Sequence, residues 1–185
     1  MDGVVFLQTA DMNANNQSGL TLLELIVGMA VLAILLAVGV PSFQSTVAGN
    51  RLAAQTNSLV TALNLARSEA VKRGQPVSVC ASTNQTTCSG ATAWTTGWIA
   101  FTDANGAAGA VNAPGDTVLQ VWQALSGPAT LNSTVAYVQY QPTGRSVAPA
   151  AVSFELRKPD CSGPHSRTIS VAVSGRVDSE KGYCP

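Results

Sequence analysis

Glu24 is the first residue whose chemistry needs explaining. It lies in "LTLLELIVGMAVLAILLAVGV", residues 20–40, a run that is almost wholly apolar and has no lysine or arginine. A lone carboxylate at the centre of a hydrocarbon layer costs about 2.5–3.5 kcal/mol on insertion scales unless it meets a cation or takes up a proton. No cation lies between Leu20 and Val40 to meet it. The alternative is a protonated glutamate at the membrane interface with no partner.

The other reactive side chains are sparse. Cys80, Cys88, Cys161 and Cys184 suit two disulfides and hence an oxidising compartment. Three pairings are open; the short polar loop favours Cys80–Cys88, and Cys161–Cys184 would tie down the C-terminus. Free buried thiols are the alternative. His165 is the single histidine and no Cys-x-x-Cys pair occurs, so a zinc site lacks spaced ligands. No Ser-His-Asp or paired-carboxylate spacing accompanies His165, which reads as a loop residue, so no catalytic residue and no cofactor is expected. Asp103 and Asn105 begin like a calcium loop but lack the further acids, and read as a turn. Asn84-Gln-Thr and Asn132-Ser-Thr match the glycosylation sequon, a weak pattern alone. Trp94, Trp98, Phe101 and Trp122 read as core rather than as a ligand platform.

Around these residues the chain divides by composition. Hydrophobic residues make up 46% and charged residues 11%, with ten basic and ten acidic side chains. Removing residues 1–19 takes away Asp2 and Asp11 and leaves ten basic against eight acidic groups, too small an excess to mark a nucleic-acid binder. Residues 1–19 are polar, lack the basic start of an ordinary secretory signal, and contain a second candidate start at Met12. Residues 20–41 supply a helix long enough for a hydrocarbon core of roughly 30 Å. Pro41 withholds an N–H from Ala37, so a kink or loosened turn is expected there. Residues 42–75 continue as an amphipathic helix, with Leu52, Leu59, Leu63, Ala66 and Ala70 on one face and Gly74 and Pro76 as its stop.

Residues 76–185 read as a β-rich head. Short β-branched or aromatic runs at 76–80, 97–102, 116–123, 135–140, 151–156 and 167–173 are separated by Gly, Pro, Asn and Ser clusters. Val152, Phe154 and Leu156 alternate, as do Ile169, Val171 and Val173, which predicts an antiparallel sheet with one buried face. The predicted fold class is α+β: a long N-terminal helix, its second half packed on a small antiparallel sheet.

"GLTLLEL" followed by an apolar run and "VPSF" resembles the processing site and N-terminal helix of type IV pilins. "LNLARSEAVKRG" (63–74), "WTTGWIAFTDANG" (94–106) and "YQPTGR" (140–145) resemble more narrowly the GspH/FimT-type minor pseudopilins. The resemblance implies cleavage by a prepilin peptidase between Gly19 and Leu20, methylation of the new amine, and pairing of Glu24 with the amine of a neighbouring subunit. Leu20 stands where the family usually has Phe. The implied role is a minor pilin priming or capping a type IV pilus, with major and minor pilins and the inner-membrane assembly machinery as partners. The implied location is the bacterial inner membrane, single-pass, with the head in the periplasm. Loops around 81–95 and 103–115 would meet other minor pilins.

Two alternatives belong to the same resemblance. One is a minor pseudopilin of type II secretion; Pro41 and the "WTTGW" segment tilt the reading toward the pilus. The other is a DNA receptor, since some FimT-like proteins use a C-terminal Gly-Arg-x-Arg motif. Here "SGRVDSEKG" keeps Gly175 and Arg176 but has Asp178 where the second arginine would stand, and an acid there repels the phosphate backbone. Arg145, Arg167, Arg176 and Lys181 would carry such binding.

Overall fold

The computed structural model describes residues 21–184 apart from 108, 112, 113, 160 and 162. Among the described residues one helix, α1 (Leu22–Arg73), is followed by eight strands: β1 (Val77–Ala81), β2 (Trp98–Thr102), β3 (Val118–Trp122), β4 (Thr130–Ser133), β5 (Tyr137–Tyr140), β6 (Val152–Arg157), β7 (Gly163–Val171) and β8 (Val177–Cys184). The chain forms two compact units that divide between Gln44 and Ser45, within α1.

Local chemistry sets both ends of α1. Thr21 caps the start: its Oγ1 accepts the backbone N–H of Glu24 at 3.2 Å, and its carbonyl accepts that of Leu25 at 3.1 Å. Glu24 lies in the first turn and Lys72 and Arg73 in the last, the placement that the helix dipole favours. Gly74, at φ 66°, donates its N–H back to Ala70 O at 3.0 Å and ends the helix. Pro41 lies inside the helix, which continues through it.

In the second unit, Leu52, Leu59, Ala62, Leu63, Ala66 and Ala70 bury one face of α1. That face shares a single core with two sheets rather than the one predicted. Both are antiparallel and four-stranded, with orders β3-β2-β1-β5 and β4-β6-β7-β8. The second sheet follows the predicted alternation, with Val152, Phe154 and Leu156 buried between half-buried residues and Ile169 and Val171 buried in β7, but Val173 lies past the end of β7 and is half-buried. The first departs from it. All residues of β1 and β2 are buried, because Cys80, Ile99 and Phe101 form a second cluster on the outer face, covered by Cys88, Val111 and Val121.

Candidate assembly surfaces and the basic C-terminal region

The N-terminal half of α1 has the composition of a packing surface, and none of the described residues buries its most apolar window. Its most apolar 18-residue window has a mean hydropathy of 2.7 and none of it is buried, and the helix is long and apolar enough to cross a membrane. Large apolar side chains from Leu22 to Val40 are 46–76% exposed. Full burial of such side chains is worth about 1.5–3 kcal/mol each. Glu24 is the single acid in this stretch, exposed, and its backbone closes the Thr21 cap. The expected cleavage site at Gly19 and Leu20 lies outside the described residues.

Cys80 is bonded to Cys88, and Cys161 to Cys184; the Cα atoms are 5.5 Å apart in each pair. The first bond holds the 82–97 loop over the outer cluster. Within that loop Asn84 Oδ1 accepts the N–H groups of Thr86 (3.0 Å) and Thr87 (2.9 Å), and its Nδ2 donates to Thr87 Oγ1 at 2.8 Å. The Asn84 amide is therefore committed to the loop, which argues against its use as a sequon; Asn132 is exposed on the edge strand β4. The second bond joins the end of β8 to the segment before β7. No group of three or more metal-ligating side chains occurs among the described residues.

Arg145, Arg167, Arg176 and Lys181, the basic candidates from the sequence, fall into two places. Arg145 and Arg176 each close a tight turn: Gln141 N–H donates to Arg145 O at 2.9 Å, and Ala172 N–H to Arg176 O at 2.9 Å. In both turns the preceding residue is a glycine with positive φ, 76° at Gly144 and 81° at Gly175. The two turns interlock so closely that a Cβ on Gly175 would lie 1.9 Å from Gly144 O. Arg67, from α1, holds both through Nε to Gly144 O at 3.0 Å and Nη2 to Ser174 O at 3.4 Å. Sequence reasoning treated "PTGR" and "SGR" as separate motifs; the structure makes them one junction between the two sheets. Arg176 is paired with Asp178. Arg167 and Lys181 face each other across the β7–β8 pair, with Glu180 next to Lys181 along β8.

Two buried groups were missed. Asp103, read as a turn residue, does open a turn (Gly106 N–H to Asp103 O, 3.0 Å), but its carboxylate is fully buried. Its Oδ2 accepts from Ser78 Oγ at 2.8 Å and Gln139 Nε2 at 2.6 Å, tying β1 and β5 to the end of β2. Tyr140 is fully buried with its hydroxyl unpartnered, and burial pushes its phenol well above the usual range, against a smaller opposing effect of Arg67. Trp94, Trp98 and Phe101 are core, as expected, whereas Trp122 is only half-buried against it; Trp94 packs edge-on against Phe154 at 4.9 Å and donates Nε1–H to Val135 O at 3.2 Å.

Comparisons with known proteins agree with this architecture. A profile described as "Prokaryotic N-terminal methylation motif" matches residues 14–40. The type IV minor pilin FimU of Pseudomonas aeruginosa (strain PAO1) is similar in two crystal forms. In space group P21 the TM-score is 0.56 at 22% identity, covering 71% of this chain and 89% of FimU. In P65 the score is 0.53 at 21% identity, covering 70% and 92%. The minor pseudopilin EpsH from the type 2 secretion system of Vibrio cholerae gives 0.48 at 12% identity, covering 71% and 97%. No curated protein sequence matches significantly. The profile described as "Type II transport protein GspH" matches residues 55–175, well over half of the chain, and the protein belongs to that family.

Proposed function

We propose that the chain is a minor pilin of a type IV pilus, made with a 1–19 leader that prepilin peptidase removes between Gly19 and Leu20. Residues 20–41 then hold the subunit in the inner membrane until assembly, when contacts with other pilin helices replace lipid. Residues 42–75 continue that helix into the head, 76–185, which lies in the periplasm. The role is structural rather than catalytic. The single observation that carries this reading is the unburied apolar half of α1 with one carboxylate in its first turn. An apolar surface of that extent needs either lipid or a bundle of like helices.

Glu24 sets register in that bundle by meeting the α-amino group of a neighbouring subunit's Leu20, and Pro41 loosens the turn between the two parts of the helix. Glu24→Ala should reduce incorporation into filaments while leaving membrane insertion intact. Unchanged incorporation sinks the pairing. Deletion of the gene should impair piliation or twitching, and normal pili would count against the pilus reading.

The second reading is the equivalent subunit of a type II secretion pseudopilus, supported by the description of the matching family. Loss of secretion with intact pili after deletion would select it. Direct DNA binding is less well supported, because Asp178 occupies the Arg176 guanidinium. A gel-shift titration of the head against salt tests it: absence of binding at low ionic strength removes the idea.

A further inference from the structure

The last two turns of α1 carry Arg67, Lys72 and Arg73 against a single acid, Glu69, which Lys72 and Arg73 share. Arg67 is half-buried and belongs to no ion pair among the described residues. Its bonds to Gly144 O and Ser174 O fix the guanidinium in place. The second of these lies at the surface, so the outer end of the group is open to solvent, and the N–H donors that the two bonds do not use are unpartnered there. Arg67 and Lys72 line one open groove of about 510 Å³ together with Asn64, Val71 and Thr143. The groove is not purely polar, since Val71 is 55% exposed. A Cβ built on Gly144 would lie 3.2 Å from Val71 Cγ2 and 3.4 Å from Arg67 Nε, so the apolar and the cationic side chain flank the same glycine.

We propose that this groove receives an aspartate or glutamate side chain from a neighbouring subunit of the assembly; the inference rests on the pilin reading above. Charge selects the occupant first. The excess of cations at this end of the helix attracts an anion, and a fixed guanidinium offers a carboxylate parallel N–H donors. The exposed Val71 then covers the methylene groups that carry the carboxylate, which inorganic phosphate lacks. A nucleic-acid backbone fits less well, because Glu69 repels a run of phosphates. A single carboxylate settles on Arg67 alone, and residues two apart on a helix face different ways. An exposed ion pair contributes modestly by itself, so the groove selects among partners more than it holds them.

The test uses the full chain in detergent micelles, with an acetylated, amidated Ala-Glu-Ala peptide as the probe and the Arg67 Nε–H resonance as the readout. The peptide should shift that signal saturably, and its Ala-Gln-Ala counterpart should bind about fivefold more weakly. Val71→Glu places a tethered carboxylate one helical turn from Arg67 and should abolish the response, with the bonds to Gly144 and Ser174 left in place. Lys72→Glu, at a side chain 76% exposed, should weaken binding by a similar factor of about five. Both positions are exposed, so neither change disturbs the core. No saturable shift, equal binding of the two peptides, or undiminished binding by Val71→Glu overturns the site. A stronger response to inorganic phosphate or to a duplex oligonucleotide overturns the assigned occupant. In cells, a photo-reactive residue at Thr143 should form an adduct at an Asp- or Glu-bearing segment of another pilin-type subunit, and Val71→Glu should remove it. Adducts confined to this chain or to nucleic acid would count against the proposal. The titration does not depend on assembly, so it can fail while the pilin reading stands, and the Glu24→Ala incorporation assay can fail while the groove still binds.

Discussion

Gly175 shows how much one hydrogen atom in place of a methyl can decide. Its φ of 81° and the 1.9 Å approach of a built Cβ to Gly144 O leave no room for a side chain, and the obstacle is backbone. Gly175→Ala should cost about 3 kcal/mol or more in urea unfolding, since strain and clash act together. Gly74→Ala is the control, with similar φ but open space around it, and should cost only about 1 kcal/mol. Equal losses would mean that the interlocked turns contribute nothing. Tyr140 supplies a second test at this scale. Burial raises its folded-state pKa, so the unfolded chain loses its proton first, and stability falls as pH rises past the ordinary tyrosine value of about 10. Tyr140→Phe removes an unpartnered buried hydroxyl. It should leave stability at pH 7 unchanged or raised and flatten the alkaline decline relative to the wild type; an unchanged alkaline slope would contradict this.

At the scale of elements, legibility in the sequence followed burial. The long helix and strands such as β6 announce themselves because a buried face imposes a period of apolar residues. "TLNS" and "VDSEKGYC" carry no such period and became β4 and β8. They are the two edges of their sheet, largely exposed, and join it through backbone hydrogen bonds that leave little mark on side-chain type. The split into two sheets was equally hidden, since it depends on β1 pairing with β5 and β4 with β6 across intervening strands. Glu24, the cysteines and the basic residues could be picked out by type. The junction of Gly144, Gly175 and Arg67 could not, because its members lie far apart in the chain and meet through main-chain oxygens. The outer cluster beneath the Cys80–Cys88 bond is a separable element with its own consequence. Replacing both cysteines with alanine should cost about 2–3 kcal/mol. Amide exchange should quicken across residues 82–97 while β6 and β7 stay protected. Uniform loss of protection would mean that the bond supports the whole head rather than its outer face.

For the whole molecule, the decisive fact is how the buried residues are distributed. Each residue of the hydrophobic core, from Leu52 onward, lies beyond the division between Gln44 and Ser45, and none of the most apolar window of α1 is buried. Stability and localisation therefore belong to different parts of the chain. A fragment beginning at Ser45 keeps every core side chain, the Gly74 cap, both disulfides and the Arg67 junction. It should unfold cooperatively in urea with a midpoint close to that of the full chain in detergent, and remain in solution without detergent. The full chain should partition into membranes and require detergent for extraction, because its exposed aliphatic side chains have no burial site within the subunit. Two results would refute this division of labour: a fragment that is unfolded or aggregated without its first 44 residues, or a full chain that stays soluble and monomeric in buffer. Either would mean that the apolar half of α1 is needed inside the subunit, and there would then be no free surface left to drive its assembly with others.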